Sequence, residues 1–392
     1  MQHPYGFIFI GGGLSSTLAA YTWLQLGYDK PILIIEQNDH LCGNHTWSFN
    51  QTDILIPAWN TLYPLIDASW KEYQVKFPKI ERTVSIPYHT LFSNSLSAKI
   101  QFYANKNPLL HILTGQKATI LQRGSIQSNP VIITQDKKEY SAEWIIQSTG
   151  QNTIDSDTAY QKFVGIEVSL KSDANLSNPI VMDATVPQKD GFRFMYILPF
   201  TPTNLLIEDT YYSLNSKLDV PTIITEIKNY AQNKNWQINT IDRQEKGVLP
   251  IPLSQKKPAP ITDKVLPLGM HANLFHVTTG YSLATNYNFI WQIYPHLKDK
   301  HLHILWHKKL LEFYQSMRFY RVMNHFLFIA GKTNKRYRFL EVFYQRQKES
   351  EIARFYAGTN TLQDKIRIFS GKAPFKPSIY LLQSLLGRRK ET

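Results

Sequence analysis

Residues 7 to 49 restrict the possible folds of this chain more than any other stretch. Phe7-Ile8-Phe9-Ile10 reads as a short buried strand. It runs into Gly11-Gly12-Gly13-Leu14-Ser15-Ser16 and then a helical pattern marked by Leu18, Ala19, Trp23 and Leu24. A second apolar strand, Ile32-Leu33-Ile34-Ile35, ends on Glu36. This is a βαβ unit with Gly-x-Gly at its first turn and an acid at the tip of its second strand, the pattern of a dinucleotide site. Gly11 allows the tight turn. Gly13 lets the N–H groups around Leu14 approach a pyrophosphate at a helix N-terminus, where the dipole favours anions. Ser16 stands where the third glycine of the pattern is usual, and Glu36, 20 positions further on, is placed to accept hydrogen bonds from a ribose. A glycine turn in an ordinary α/β protein is the competing reading.

A chain of 392 residues has room for two or three packed regions. Cys42 is its single cysteine, which excludes an internal disulfide and a cysteine-built zinc site and points to a reducing compartment. No metal site is expected. The strand at Phe7 begins too early for a signal peptide to precede it, and no apolar run has the roughly 20 residues of a membrane span. The net charge of +13 is concentrated at one end: residues 301–392 hold 18 Lys/Arg against 6 Asp/Glu, and the rest is nearly neutral. In the same segment Leu310, Phe313, Tyr314, Met317, Tyr320, Met323, Phe326 and Leu327 recur near helical spacing. A cationic, amphipathic segment suggests a surface for anionic lipid; a solvated basic face over a core helix is the plainer reading. Nucleic acid is not an expected partner of a chain with an N-terminal dinucleotide site.

The middle of the chain is β-rich, with alternation in Tyr73–Phe77 and Phe192–Leu198. Ile145-Ile146-Gln147-Ser148-Thr149-Gly150 reads as a strand delivering a glycine turn back to the cofactor. Val265–Gly269 is a later strand and turn, and Phe275–Ala284 holds a glycine turn, Thr279-Gly280-Tyr281, that opens a helix. The cofactor domain is therefore discontinuous: residues 1–65, 100–155 and 260–290, with an inserted antiparallel β domain of 66–99 and 156–259 and a basic helical region of 291–392. Pro377 starts a closing helix that Gly387 and Arg388-Arg389-Lys390 end.

One hairpin carries the chemistry. Gly191–Phe200 and Leu205–Thr210 are neighbouring strands joined by Thr201-Pro202-Thr203-Asn204. Alternation sends Glu208 to one face with Leu206 and Thr210, and Asp209 to the other with Ile207. A carboxyl among apolar side chains loses hydration, its pKa rises, and it becomes a proton donor at neutral pH. The alternative is an ion pair of Arg193 with Glu208 or Asp209.

With these pieces in view the chain resembles the bacterial flavoprotein lycopene β-cyclases from nearly end to end. The resemblance rests on Gly11–Leu14, Gly43-Asn44-His45-Thr46-Trp47-Ser48-Phe49, Phe163-Val164-Gly165, Met182–Val186, Phe192-Arg193-Phe194 to Leu198-Pro199, Ile207-Glu208-Asp209-Thr210, Gly247-Val248-Leu249-Pro250, His276–Leu283, Arg354–Gly358 and Ser370–Pro374. It implies an α/β fold with a Rossmann-type FAD-binding domain. It also implies a linear carotene substrate, lycopene, and ring closure without net redox change. FAD would act in its reduced form, with NAD(P)H as electron source. Glu208 would be the essential acid, with the proton delivered by Glu208 itself or by the reduced flavin while Glu208 holds charge or positions it; Asp209 would be a supporting residue, and Phe192, Phe194 and Tyr196 candidates for the substrate wall. Gly11, Gly13, Leu14, Ser16, Glu36, Gly43, His45, Gly150, Gly269, Thr279, Gly280 and Tyr281 would serve the cofactor. Gln147-Ser148-Thr149-Gly150 departs from the Asp and Arg that many relatives carry before the glycine, and Gly269-Met270 lacks the acid of flavin hydroxylases. A peripheral protein on the cytoplasmic side of the membrane is expected. The alternative functions are a flavin-dependent oxygenase or reductase on a polyprenyl substrate, and a carotenoid carrier without turnover.

Overall fold

A computed structural model describes residues 4–125, 127–150, 157–254, 257–330 and 332–370. Its first sheet is built on parallel strands in the order Leu110–Leu113, Ile32–Ile35, Tyr5–Ile10, Glu139–Gln147, with Val265–Pro267 beside the last. Ile32–Ile35 is apolar throughout because both of its faces are covered, and all four of its residues are buried. An antiparallel extension, Ala118–Gln122 and Val131–Thr134, continues from the near half of Glu139–Gln147. Helices Leu14–Gln25, Ser93–Lys106 and Leu283–Ile293 cover one face and share its core. Trp23 pins the first to the third, its Nε1 donating to the Ile290 carbonyl at 3.1 Å.

The second sheet runs in the order Ile238–Pro252, Thr158–Leu170, Asn204–Ser213, Phe192–Pro199, Ile180–Asp183, Tyr73–Phe77, Ile80–Val84. It is antiparallel except where Ile180–Asp183 meets Tyr73–Phe77. One face packs on helix Val220–Asn233. The other faces the first unit and the C-terminal helices. Thr46–Asn50, Tyr88–Phe92 and Ala68–Trp70 form a separate small sheet.

The fold is the expected α/β arrangement, but the domain limits move. Helix Ser93–Lys106 belongs with the parallel sheet: its buried Leu96 and Ile100 join that core, and the chain then enters Leu110–Leu113. A boundary at residue 99 or 100 would cut this helix in half. The small sheet likewise takes Thr46–Asn50 from one expected domain and Tyr88–Phe92 from the other.

The C-terminal apolar stripe faces inward, which corrects the lipid-facing expectation for those side chains. Leu310, Met317, Tyr320, Met323, Phe326 and Leu327 are buried. Helices Arg318–Phe328, Arg338–Arg346 and Glu349–Tyr356 share a core with Phe194 and Tyr212 of the second sheet. Phe326 stacks on Phe339, with ring centres 5.3 Å apart. Helical spacing records which face is buried, not whether protein or lipid buries it. Among the described residues no helix is long and apolar enough to cross a membrane. The closing helix expected from Pro377, with Gly387 and Arg388–Lys390, lies outside the described residues, as do Gly371–Pro374. Phe326→Ala is expected to lower the unfolding free energy by roughly 3–5 kcal/mol, read from urea denaturation followed by tryptophan fluorescence.

Candidate active site

A cavity of about 700 Å³ runs from the glycine turn after the first strand to the face of the antiparallel sheet. That is within the usual range for a cofactor or small-molecule site. At one end Gly11, Gly13, Leu14 and Ser15 line it. Gly11 has φ +99°, and a Cβ there would stand 2.8 Å from the Ser148 carbonyl oxygen, so only glycine lets the two turns meet. A Cβ on Gly13 would meet nothing within 4 Å; the backbone is open towards the cavity. The Glu36 carboxylate also lines this end and accepts from Gly12 N at 2.7 Å, Asn38 N at 2.9 Å and Asn38 Nδ2 at 2.7 Å. This fixes the acid at the mouth of the turn.

Gly43, His45, Gly150, Thr279, Gly280 and Tyr281 line the same cavity. Gly280 has φ +76°, and a Cβ there would collide with Gln161 and Leu249. Burial holds the His45 imidazole below its ordinary pKa and therefore neutral. Two expected cofactor residues do not line the cavity. Ser16 is fully buried on the core side of its helix, whereas Ser15 faces the cavity and donates from Oγ to Asn286 Oδ1 at 2.9 Å. Helical geometry turns successive residues by about 100°, so the one that points inward is Ser15. Gly269 instead permits a close approach: a Cβ on it would stand 2.6 Å from Ser15 Oγ.

Glu208 lies at the other end. The hairpin pairs it with Tyr196 on one side, and the Thr158–Leu170 strand pairs it with Gly165 on the other. Phe163, Phe194, Tyr196, Tyr212, Tyr281 and Tyr356 form the surrounding wall, with Met182 and Leu249. Burial, and then the charge of nearby Glu245, push the Glu208 carboxyl up to about 8. Thr210 Oγ1 donates to its Oε1 and opposes the rise. Glu208 is therefore uncharged at neutral pH and faces an aromatic chamber.

Arg193 takes the other carboxylate. Its Nε donates to Asp209 Oδ1 at 2.9 Å and its Nη2 to Asp209 Oδ2 at 2.8 Å, with Tyr211 OH on Oδ2 at 2.8 Å. Both Arg193 and Asp209 are buried on the face that packs against helix Val220–Asn233. Asp209 thus points away from the cavity, on the face that strand alternation gives it, where it holds the hairpin through Arg193. Of the expected substrate-wall residues, Phe194 and Tyr196 line the cavity, and Phe192 does not. Phe192 is core, its ring 5.3 Å from Phe194 and 5.7 Å from Tyr212.

Several residues here receive no role from the sequence, although Tyr356 lies in the Arg354–Gly358 segment that carries the resemblance. Tyr88 OH lies 2.7 Å from Tyr281 OH and 3.1 Å from Tyr196 OH, tying three elements together. Tyr356 comes from the C-terminal helices. Glu245 lies two residues before the Gly247–Pro250 segment, and only strand register brings it to Glu208.

A family model described as lycopene cyclase protein matches residues 7–383. Lycopene beta-cyclase of Pantoea ananas is 34% identical over 394 residues, covering 98% of this chain and 99% of the relative. That of Pseudescherichia vulneris is 33% identical over 374 residues, covering 94% of each. Among solved structures, a geranylgeranyl bacteriochlorophyll reductase-like protein from Thermoplasma acidophilum aligns with TM-score 0.65 at 12% identity, covering 98% of this chain and 99% of that one. A probable FAD-dependent monooxygenase from Pseudomonas aeruginosa aligns with TM-score 0.62 at 13% identity, covering 87% and 100%. At such identities the solved structures speak to the fold alone.

Asp209→Ala leaves the Arg193 guanidinium buried without its main partner. It is expected to cost roughly 3–5 kcal/mol of stability in urea denaturation.

Proposed function

The chain belongs to the lycopene cyclase family, and from that premise we propose that it is a lycopene β-cyclase in which Glu208 is the acid. The observation that carries this reading is an uncharged carboxyl at the aromatic end of a cavity whose other end is a dinucleotide turn.

The cavity suits FAD by its own geometry: an open Gly13, a turn closed to anything but glycine at Gly11, and a carboxylate fixed at Glu36. Gly11, Gly13 and Leu14 would hold the pyrophosphate and Glu36 the ribose, with the Thr279–Tyr281 turn as a further wall. Reduced FAD, when bound, supplies negative charge near a developing cation, and NAD(P)H is the proposed source of its electrons.

Lycopene is a hydrocarbon, so recognition falls to apolar and aromatic side chains. Glu208 gives its proton to the terminal C1=C2 double bond at the ψ-end. The tertiary cation at C1 is attacked by the C5=C6 double bond, the C1–C6 bond closes the ring, and charge moves to C5. Loss of the C6 proton leaves the β-ionone ring. Tyr196, Tyr212, Tyr281 and Tyr356 line this end of the cavity, and aromatic rings stabilise a neighbouring cation. Glu36 and Glu208 are the carboxylates lining the cavity among the described residues, and Glu36 is held at the far end. The spent Glu208 carboxylate, left beside the ring it has protonated, takes the C6 proton. One proton enters, one leaves, and no electrons are transferred. Repetition at the second end would convert γ-carotene to β-carotene.

The substrate partitions into lipid, so we place the protein peripherally on the cytoplasmic face of a membrane. Support comes from the basic C-terminal segment and from Ile329, Leu362 and Ile366, which are 45%, 73% and 59% exposed beside Lys332, Lys335 and Lys365. Binding to anionic vesicles is expected to weaken with salt; binding indifferent to salt and to removal of the C-terminal segment would contradict this.

The test uses pure protein, lycopene in liposomes and dithionite-reduced FAD without oxygen. Wild type should form rings, and Glu208→Gln should lose at least about 100-fold in rate. Full activity in Glu208→Gln would remove the assignment. Because the acid must carry its proton, the wild-type rate should fall as pH rises through about 8. Stoichiometric NAD(P)H consumption per product would indicate an oxygenase or reductase instead.

A further inference from the structure

Behind Glu208 lies a second buried carboxylate that the ring-closing steps do not use. The Thr158–Leu170 strand separates the strands of Glu208 and Glu245, and Gly165 is the register partner of both. A Cβ on Gly165 would stand 3.2 Å from Glu245 Cγ and 3.5 Å from Glu208 Cβ. The two acidic side chains therefore converge over a residue with no side chain, on one face of the sheet.

The period of two puts Glu167 and Arg243 on that face too. Arg243 donates from Nε to Glu167 Oε2 at 3.0 Å and from Nη1 to Glu245 Oε2 at 2.7 Å. Its Nη1 also reaches Asn44 Oδ1 at 3.1 Å, and its Nη2 reaches Thr46 Oγ1 at 2.7 Å. Thr46 Oγ1 in turn donates to Glu245 Oε2 at 2.9 Å. Glu245 is 3% exposed, so this network, not water, holds it. One guanidinium shared by two carboxylates leaves one negative charge in excess.

The other groups near Glu208 do not cancel that charge. Asp209 and Arg193 pair on the opposite face, as do Lys162 and Asp190. On the cavity side, among the described residues, the titratable groups at this end are the phenols of Tyr88, Tyr196, Tyr212, Tyr281 and Tyr356 and the neutral imidazole of His45. Lys117 belongs to the dinucleotide end with Gln116 and Glu36.

We propose that Glu245 is a positioning residue for the ring-closing acid: fixed across Gly165 by Arg243 and Thr46, it keeps the proton on Glu208 and favours its return after each ring closes. A like charge in a medium of low dielectric opposes ionisation of its neighbour. Gly165 leaves room for the pairing, because a Cβ there would press on Glu245 Cγ, which would have to give by a few tenths of an ångström. The consequence is a catalytic proton that cycles between substrate and protein. The proposal rests on Glu208 being the acid.

The test is an infrared difference titration of the folded protein, with the Glu208 carboxyl band identified as the one missing in Glu208→Gln. Glu245→Gln keeps an acceptor for Arg243 and Thr46 and removes the charge. The Glu208 band should then titrate about one pH unit lower. The alkaline limb of the cyclisation rate should move by the same amount, with KM for lycopene unchanged. If Glu245→Gln does not fold, Glu167→Gln decides: that site is partly exposed, and freeing Arg243 to neutralise Glu245 should move the band in the same direction. An unmoved band in the folded variant overturns the proposal while leaving Glu208 as the acid. A fully active Glu208→Gln overturns the acid itself, and the proposal with it.

Discussion

Removing water from one carboxyl is the constraint around which the rest of this molecule is arranged. In solution a glutamic acid at neutral pH has already lost its proton and has nothing to give an alkene. In the chamber formed by Phe163, Phe194, Tyr212 and Tyr356 the charged form loses its hydration, and Glu208 retains its proton up to about 8. The same dryness favours a carbocation facing aromatic rings over one facing water, which would trap it.

The sheet makes this possible by separating its charges. Adjacent residues of one strand, Glu208 and Asp209, lie on opposite faces. Arg193, two register positions from Asp209, satisfies the far acid completely. Had Arg193 faced the cavity, Glu208 would be an ionised partner in a salt bridge. The covering helix Val220–Asn233 and the C-terminal helices then seal the two faces.

Much of this was legible in the chain. The βαβ unit, the glycine turns at Gly11 and Gly280, and the hairpin with Glu208 on its own face all follow from local periodicity and backbone freedom. What was not legible depends on packing between distant segments. The choice between Ser15 and Ser16 turns on a helix's rotation against Asn286. The inward direction of the Leu310–Leu327 stripe depends on what lies opposite it. Tyr88, Tyr356 and Glu245 reach the chamber through partners far away in sequence, so no spacing rule announces them. The domain limit near residue 93 was hidden because a strand and the following helix abut without a turn signal at Phe92-Ser93.

The most direct test of the central claim, that an exchangeable carboxyl protonates the hydrocarbon and no hydride is transferred, is the isotope content of the product. A single ring closure by protein equilibrated in D2O, with reduced FAD, should place one deuterium in that ring. A ring formed without deuterium from the solvent would contradict the account.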